Sequence, residues 1–358
     1  MSDPERPDTR PLGDPDSTPD PTPDQTPAPP PVPSGPGTGH DFAELRDLAA
    51  GVRAACGRVL VGLEDEVDAC LTALVAGGHV LLEGPPGVAK TLLVRCLAAA
   101  LGGDFGRIQF TPDLMPADVT GTSVFHADEG SFRFRPGPIF TQFLLCDEIN
   151  RAPAKTQAAL LEAMQERAVT TDGATRELPR PFAVFATQNP IEHEGTYPLP
   201  EAQLDRFLFH VRVGYPAPDH EAALLAASHA RPVDASPGDL GVTPVAEPGR
   251  WLELAAAVEQ RVEVRPDLFD YVVRLLGATR RSPSLALGAS PRAGVMLVRA
   301  AKARAAMGAR DFITPDDLKG VFLTALRHRV ALDPAEEIGG GSTDAVLRGI
   351  LDTVEVPR

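Results

Sequence analysis

The octapeptide Gly84-Pro85-Pro86-Gly87-Val88-Ala89-Lys90-Thr91 constrains this chain more than any other stretch of it. It follows the apolar run His79 to Leu82 and precedes the helical pattern Leu92 to Leu101. A strand, a glycine-rich turn and a helix in that order aim backbone N–H groups at one point, and the helix dipole adds positive potential there. The arrangement therefore suits a phosphate. Lys90 would bring a point charge to the outer phosphates, and Thr91 would offer its hydroxyl to Mg²⁺. One position departs from the general pattern: Ala89 stands where GxxxxGK[ST] has glycine. The methyl group is tolerable if Ala89 takes a helical φ, as a residue just before the lysine is expected to do.

The runs His79 to Leu82, Arg107 to Phe110, Phe143 to Cys146, Phe182 to Thr187 and Phe207 to Val213 alternate with helical patterns. Apolar runs of this length between helices predict buried parallel strands and an α/β domain. Two stretches break the rhythm. Gly121 to Phe134 is apolar on both sides of Ala127-Asp128-Glu129-Gly130, and Val169 to Leu178 turns at Asp172-Gly173, a dipeptide suited to positive φ. Both predict β-hairpin insertions.

The expected organisation has four parts: an acidic proline-rich tail at 1–40, an α/β domain at 41–230, a linker at 231–249 and a helical lid at 250–358. Thirteen of the 37 prolines fall in the tail, with almost no large apolar side chains, so it is expected to be disordered. In the lid, Ser290-Pro291 and Thr314-Pro315, the latter with Asp317, predict helix starts near Pro291 and Pro315.

Charge and composition exclude some classes. Formal charge is −15; the tail's seven acids and two arginines account for −5, leaving −10 elsewhere. That balance speaks against a phosphate-backbone binder, which needs a basic stripe. Beyond the proline-rich tail, the longest charge-free stretch, Ala69 to Leu82, is fourteen residues, short of the roughly 20 that a membrane-spanning helix needs. No export-type start precedes it, so a cytoplasmic location is expected. Cys56, Cys70, Cys96 and Cys146 lie far apart and read as reduced and buried; the histidines show no metal-ligand spacing. Trp251 opens an apolar stripe that fits lid packing.

A second motif joins the loop. Phe143-Leu144-Leu145-Cys146-Asp147-Glu148 is an apolar strand ending in two carboxylates. Asp147 is suited to hold a metal through its hydration shell, and Glu148 to orient or activate the water that attacks a γ-phosphate.

With Ala186-Thr187-Gln188-Asn189-Pro190 and Leu204-Asp205-Arg206-Phe207, these motifs resemble the AAA+ ATPase core. Asp147-Glu148-Ile149-Asn150-Arg151-Ala152-Pro153, Gln157 to Glu166 and Glu201 to Phe207 are similar, more narrowly, to the MoxR family of AAA+ proteins, which also carries alanine before the loop lysine. The likeness runs from about Asp41 to the C-terminus. It implies a five-stranded parallel sheet with helices on both faces, two hairpin insertions lining a pore face, and a small all-helical lid. ATP and Mg²⁺ are the implied ligands.

The same resemblance gives Asn189 the part of sensor 1, Arg206 that of the arginine finger reaching a neighbour's nucleotide, and Arg292 that of sensor 2, reaching the γ-phosphate from the lid. It sets Val61 and Gly62 beside the adenine and leaves Arg151 and Glu194 without an assigned role. It further implies a homo-oligomeric ring, most simply a hexamer, that hydrolyses ATP to remodel or activate a client protein, with a separate partner bearing a von Willebrand factor A domain. Two other classes share the core: a nucleic-acid translocase, which overall acidity disfavours, and a magnesium-chelatase-type motor subunit.

Overall fold

Alternation along the strands sorts the interior into two layers. In the computed structural model, which describes residues 40–128, 130–190, 196–229 and 235–357, Leu82, Leu145, Phe185 and Val211 face one cluster of buried side chains. Leu81, Leu144, Cys146, Val184 and Ala186 face another. Period-two burial on both faces means that the sheet is covered on both sides, as in a parallel sheet whose crossovers are helices. The stretch read as a disordered tail lies outside the described residues up to position 39, as do His193 and Glu194.

In chain order, α1 (His40–Gly57) and α2 (Glu64–Val75) lead into β1 (Val80–Glu83), and α3 (Lys90–Ala100) follows the glycine-rich loop. Next come β2 (Phe105–Gln109), α4 (Pro116–Thr120), the hairpin β3 (Gly121–His126) and β4 (Ser131–Pro136), and β5 (Phe143–Asp147). Then α5 (Ala154–Glu166) leads to a second hairpin, β6 (Ala168–Thr171) and β7 (Ala174–Glu177). The α/β part ends with β8 (Ala183–Gln188), α6 (Glu201–Leu204), β9 (Phe209–Arg212) and α7 (Pro218–His229).

The five-stranded sheet has the order β2-β5-β8-β1-β9, and every pairing in it is parallel. All five C-terminal ends therefore lie along one edge. The sequences before β1, β8 and β9 lie along the opposite edge.

The C-terminal part is α8 (Pro248–Arg261), α9 (Pro266–Arg281), α10 (Pro291–Met307), α11 (Pro315–Leu326), α12 (Pro334–Ile338) and α13 (Thr343–Thr353), with one short antiparallel strand pair at Leu285–Leu287 and Ala331–Leu332. Its buried side chains, Trp251 and Phe322 among them, join the same core cluster as α1 to α3. The two predicted helix starts are present. Ser290 Oγ accepts from Ala293 N at 3.2 Å. Asp317 accepts from Thr314 N and hydroxyl at 2.8 and 2.7 Å, and from Arg310. Burial opposes ionisation of Asp317, but these donors outweigh it and hold its carboxyl below the usual range. All four cysteines are buried and free, and no described helix is long and apolar enough to cross a membrane.

Candidate nucleotide site

The glycine-rich loop leaves β1 where the sheet is tightest. A side chain at Gly84 would lie 2.2 Å from Val213 O, so only glycine fits between β1 and the exit of β9. Gly87 has φ +84° and open space where a Cβ would stand, which leaves the turn accessible to a ligand. The expectation of a helical φ at Ala89 is overturned: Ala89 has φ +62° and ψ +22°, in the left-handed region. It is the residue that caps α3, and the loop must reverse there before the helix begins. For a residue with a Cβ this conformation costs roughly 1–2 kcal/mol, so the loop closes under strain.

Lys90 opens α3, and its Nζ donates to Gly84 O and Pro85 O, both at 2.7 Å, spanning the loop it belongs to. Burial holds its pKa below that of an ordinary lysine, while Asp147 and Glu148 pull the other way. Lys90 therefore senses both carboxylates at the end of β5.

Asp147 is buried, and each of its oxygens has a partner: Oδ1 accepts from Thr187 Oγ1 at 3.2 Å, and Oδ2 pairs with Arg107 Nε at 2.7 Å. A carboxylate offers about four lone-pair sites, so both oxygens keep capacity for a hydrated cation. Glu148 is the second left-handed residue at this edge, with φ +56° and ψ +50°. Its N–H donates to Thr187 Oγ1 at 2.9 Å, and its Oε2 accepts from Gln109 Nε2 at 2.7 Å with Arg151 Nη1 3.3 Å away. Asn189 follows the last residue of β8 and is half-buried.

The sheet order thus brings Lys90, Thr91, Asp147, Glu148 and Asn189 to one edge. Val61 and Gly62 join them indirectly: Gly62, at φ +74°, sits under His220 of α7, on the segment that leaves β9 beside Gly84. Arg206 and Arg292 are elsewhere. Arg206 precedes β9, at the opposite edge, and its guanidinium donates to Leu161 O in α5. Arg292 pairs through Nε with Asp205 Oδ2 at 3.1 Å, and so stands beside Arg206 and away from the loop of its own chain. Asp205 also takes Arg329 Nε at 2.6 Å, and the Arg329 side chain is 2% exposed.

Sequence reasoning missed Arg107, Gln109 and Thr187, which set the two carboxylates, and Arg329, which ties the lid to Asp205. A signal existed for the first pair: Arg107 and Gln109 are two apart on a strand, so they share a face next to β5. Nothing local marks Arg329, 124 residues from its partner.

Comparison with known proteins agrees with this geometry. Residues 79–209 match the model of the "ATPase family associated with various cellular activities (AAA)", and residues 277–350 match that of the AAA lid domain. The chain is 47% identical over 301 residues to protein YeaC of Bacillus subtilis, covering 84% of this chain and 92% of that one. It is 46% identical over 317 residues to the chaperone MoxR1 of Mycobacterium tuberculosis, covering 84% and 80%. The chain belongs to the MoxR family of AAA+ ATPases. A solved structure from Cytophaga hutchinsonii, described as a candidate ATPase, superposes on this MoxR-family chain with a TM-score of 0.81 at 38% identity, over 89% of this chain and 98% of that one.

Proposed function

We propose that this MoxR-family ATPase binds ATP with Mg²⁺ at the edge carrying Gly84 to Thr91, Asp147, Glu148 and Asn189. It hydrolyses the nucleotide only when a second copy completes the site. The observation that carries this reading is the separation of the two groups: the loop and carboxylates stand at the C-terminal edge of the sheet, while Arg206 and Arg292 stand together at the N-terminal edge. A four-residue strand alone spans about 13 Å. Arginines so placed serve a nucleotide on a neighbour, in a head-to-tail ring, most simply a hexamer.

The residues present fit the ligand. Gly87 leaves room for phosphate oxygens against backbone N–H groups, and Lys90 already satisfies two carbonyls with a cation free to exchange them for phosphate. Thr91 and Asp147 would hold Mg²⁺, which neutralises charge on the phosphates when bound. Glu148 orients or deprotonates the attacking water; Thr187 fixes its backbone, and Gln109 holds its Oε2 until the water takes that place. Asn189 would contact the γ-phosphate region, and Arg206 and Arg292 would offset transition-state charge from the adjacent copy.

The work drawn from hydrolysis is proposed to move the lid (250–358) against the core (41–230) and so shift the two hairpins. Phe125 and Phe132 on the first hairpin are 54% and 72% exposed with ring centres 5.2 Å apart, a surface suited to a client's apolar side chains. Remodelling or activation of a client protein, together with a separate partner carrying a von Willebrand factor A domain, completes the proposal. The name of the M. tuberculosis relative, a chaperone, supports the first half of it.

The test is complementation between inactive variants. Glu148→Gln should retain ATP and lose hydrolysis, and Arg206→Ala should do the same, by about 10³-fold or more for a trans arginine. Mixed together, a Glu148→Gln copy donates Arg206 to an intact site on an Arg206→Ala copy, and activity should partly return. Hydrolysis undiminished by either change, or no recovery on mixing, would reject the reading.

A further inference from the structure

Two surfaces of this chain are unaccounted for, and they lie at opposite ends of the sheet. One is α7, which leaves β9 at the edge of the phosphate loop. Its sequence, Pro218-Asp219-His220-Glu221-Ala222-Ala223-Leu224-Leu225-Ala226, is apolar beyond its acidic first turn. Yet Ala222, Ala223 and Ala226 are exposed, and Leu225 is 68% exposed. A helix apolar around most of its circumference is expected to be covered.

The other surface is a cavity of about 1160 Å³ between α8, α9 and α10 and the residues that precede β1 and β8. Its lining is predominantly apolar, and three of its side chains, Phe269, Val273 and Val295, are 48%, 66% and 61% exposed. Five cations line it, Arg167, Arg180, Arg280, Arg299 and Lys302, against one carboxylate, Glu259. Arg280, Arg299 and Lys302 donate to backbone carbonyls of Ala289, Ala76 and Glu259. Among the described residues none of the five lies within ion-pair distance of a carboxylate. In a chain with formal charge −15, a cationic rim left unpaired around an apolar trough calls for an acidic, apolar occupant.

We infer that α7 of one copy docks in this groove of the next, Leu225 and the alanines entering the trough and Asp219 and Glu221 meeting its cations. Strand direction forbids the same contact within one chain, since α7 follows the C-terminal end of β9 while the groove lies at the N-terminal ends of β1 and β8. Different surfaces on the two partners make the contact heterologous, and such contacts close into rings when the rotation allows. Pro291 lines the groove and Arg292 follows it, so docking would carry the phosphate-loop edge of one copy toward Arg292 and Arg206 of the next. The inference rests on the head-to-tail reading above and names the surfaces that enforce it.

The experiment uses two full-length variants, Leu225→Asp and Val295→Asp, both at exposed positions where substitution is not expected to unfold the chain. Mass is measured by sedimentation with ATP, alongside circular dichroism and ATP binding as folding controls. Wild type should form a closed assembly. Each variant alone should remain a monomer that still binds ATP. A mixture of the two should stop at a two-copy species, because Val295→Asp retains a working helix and Leu225→Asp a working groove, which make one contact and no more. Assembly of either variant to the wild-type mass would overturn the docking and leave the ring reading standing, the groove then belonging to a partner of other sequence. A wild type that stays monomeric with ATP, whatever the variants do, would overturn both.

Discussion

The side-chain amide of Gln109 donates to Glu148 Oε2 at 2.7 Å, joining the exposed end of β2 to the residue that follows β5. The bond fixes the carboxylate while drawing electron density from it, so Glu148 must give it up to act fully on a water. A hydrogen bond to a charged group is worth about 1.5–3 kcal/mol. Gln109→Leu should therefore raise single-turnover hydrolysis roughly tenfold while leaving the ATP dissociation constant unchanged. A fall of the same size would show instead that Gln109 holds Glu148 in its working position.

Ala89 and Glu148 are the two left-handed residues with side chains at this edge, at φ +62° and +56°. Only the first is free to change without removing a functional group. Ala89→Gly relieves roughly 1–2 kcal/mol of conformational strain and gives back about 0.4–1 kcal/mol through the freer unfolded chain. The urea unfolding free energy of Ala89→Gly should accordingly rise by somewhat under about 1 kcal/mol. A loss of stability would mean that the loop does not hold this conformation in solution.

How much of this was readable beforehand depended on distance along the chain. Strand, loop and helix at 79–101 are consecutive, and period and glycine placement reveal them. The hairpins declare themselves through Asp172-Gly173 and the polar turn at 127–130. The φ of Ala89 was misread because the rule that a residue before a helix is helical ignores the reversal that the loop must make. Asp205 binds Arg292 and Arg329, contributed by the lid more than 80 residues later, which no pattern around position 205 announces. Strand order, and with it the distance between the arginines and the loop, is a tertiary property that local pattern does not encode.

Stability should fall as pH drops below neutrality, and His79 sets one part of that fall. It is buried at the start of β1, its Nδ1 accepting from Val184 N at 3.0 Å and its Nε2 facing Met164 O at 3.3 Å. Burial, aided by Arg167, lowers its pKa to about 4 from an ordinary 6.5. The folded state thus prefers neutral His79, so its contribution is complete above pH 6.5 and disappears as pH falls from 6.5 toward 4. That window corresponds to about 3 kcal/mol. His328, pushed well down by burial and Arg329, adds a second proton taken up on unfolding. Urea titrations between pH 7 and 4.5 should show this slope, and His79→Asn should flatten it while lowering stability at pH 7. An unchanged slope in that variant would assign the protons elsewhere.

The two hairpins meet at a cation–π contact. Arg176 of β7 places its guanidinium 3.7 Å from the ring centre of Phe134 in β4, and Phe134 in turn meets Phe140 edge-on at 5.7 Å. Arg176 also donates to Thr171 O and Ala174 O at 3.3 and 3.2 Å, so the cation is pinned to its own hairpin while it grips the other. Since β6 follows α5, and α5 follows Glu148 by only a few residues, this contact is the route by which movement at the carboxylate edge is predicted to reach the first hairpin. A double-mutant cycle with Arg176→Ala and Phe134→Leu should give a coupling energy of about 0.5–2 kcal/mol. Amide exchange across 121–136 should accelerate in Arg176→Ala, and Arg176→Lys should recover part of the protection, because the ammonium keeps the charge but loses the planar stacking. Independent behaviour of the two substitutions would mean that the hairpins move separately.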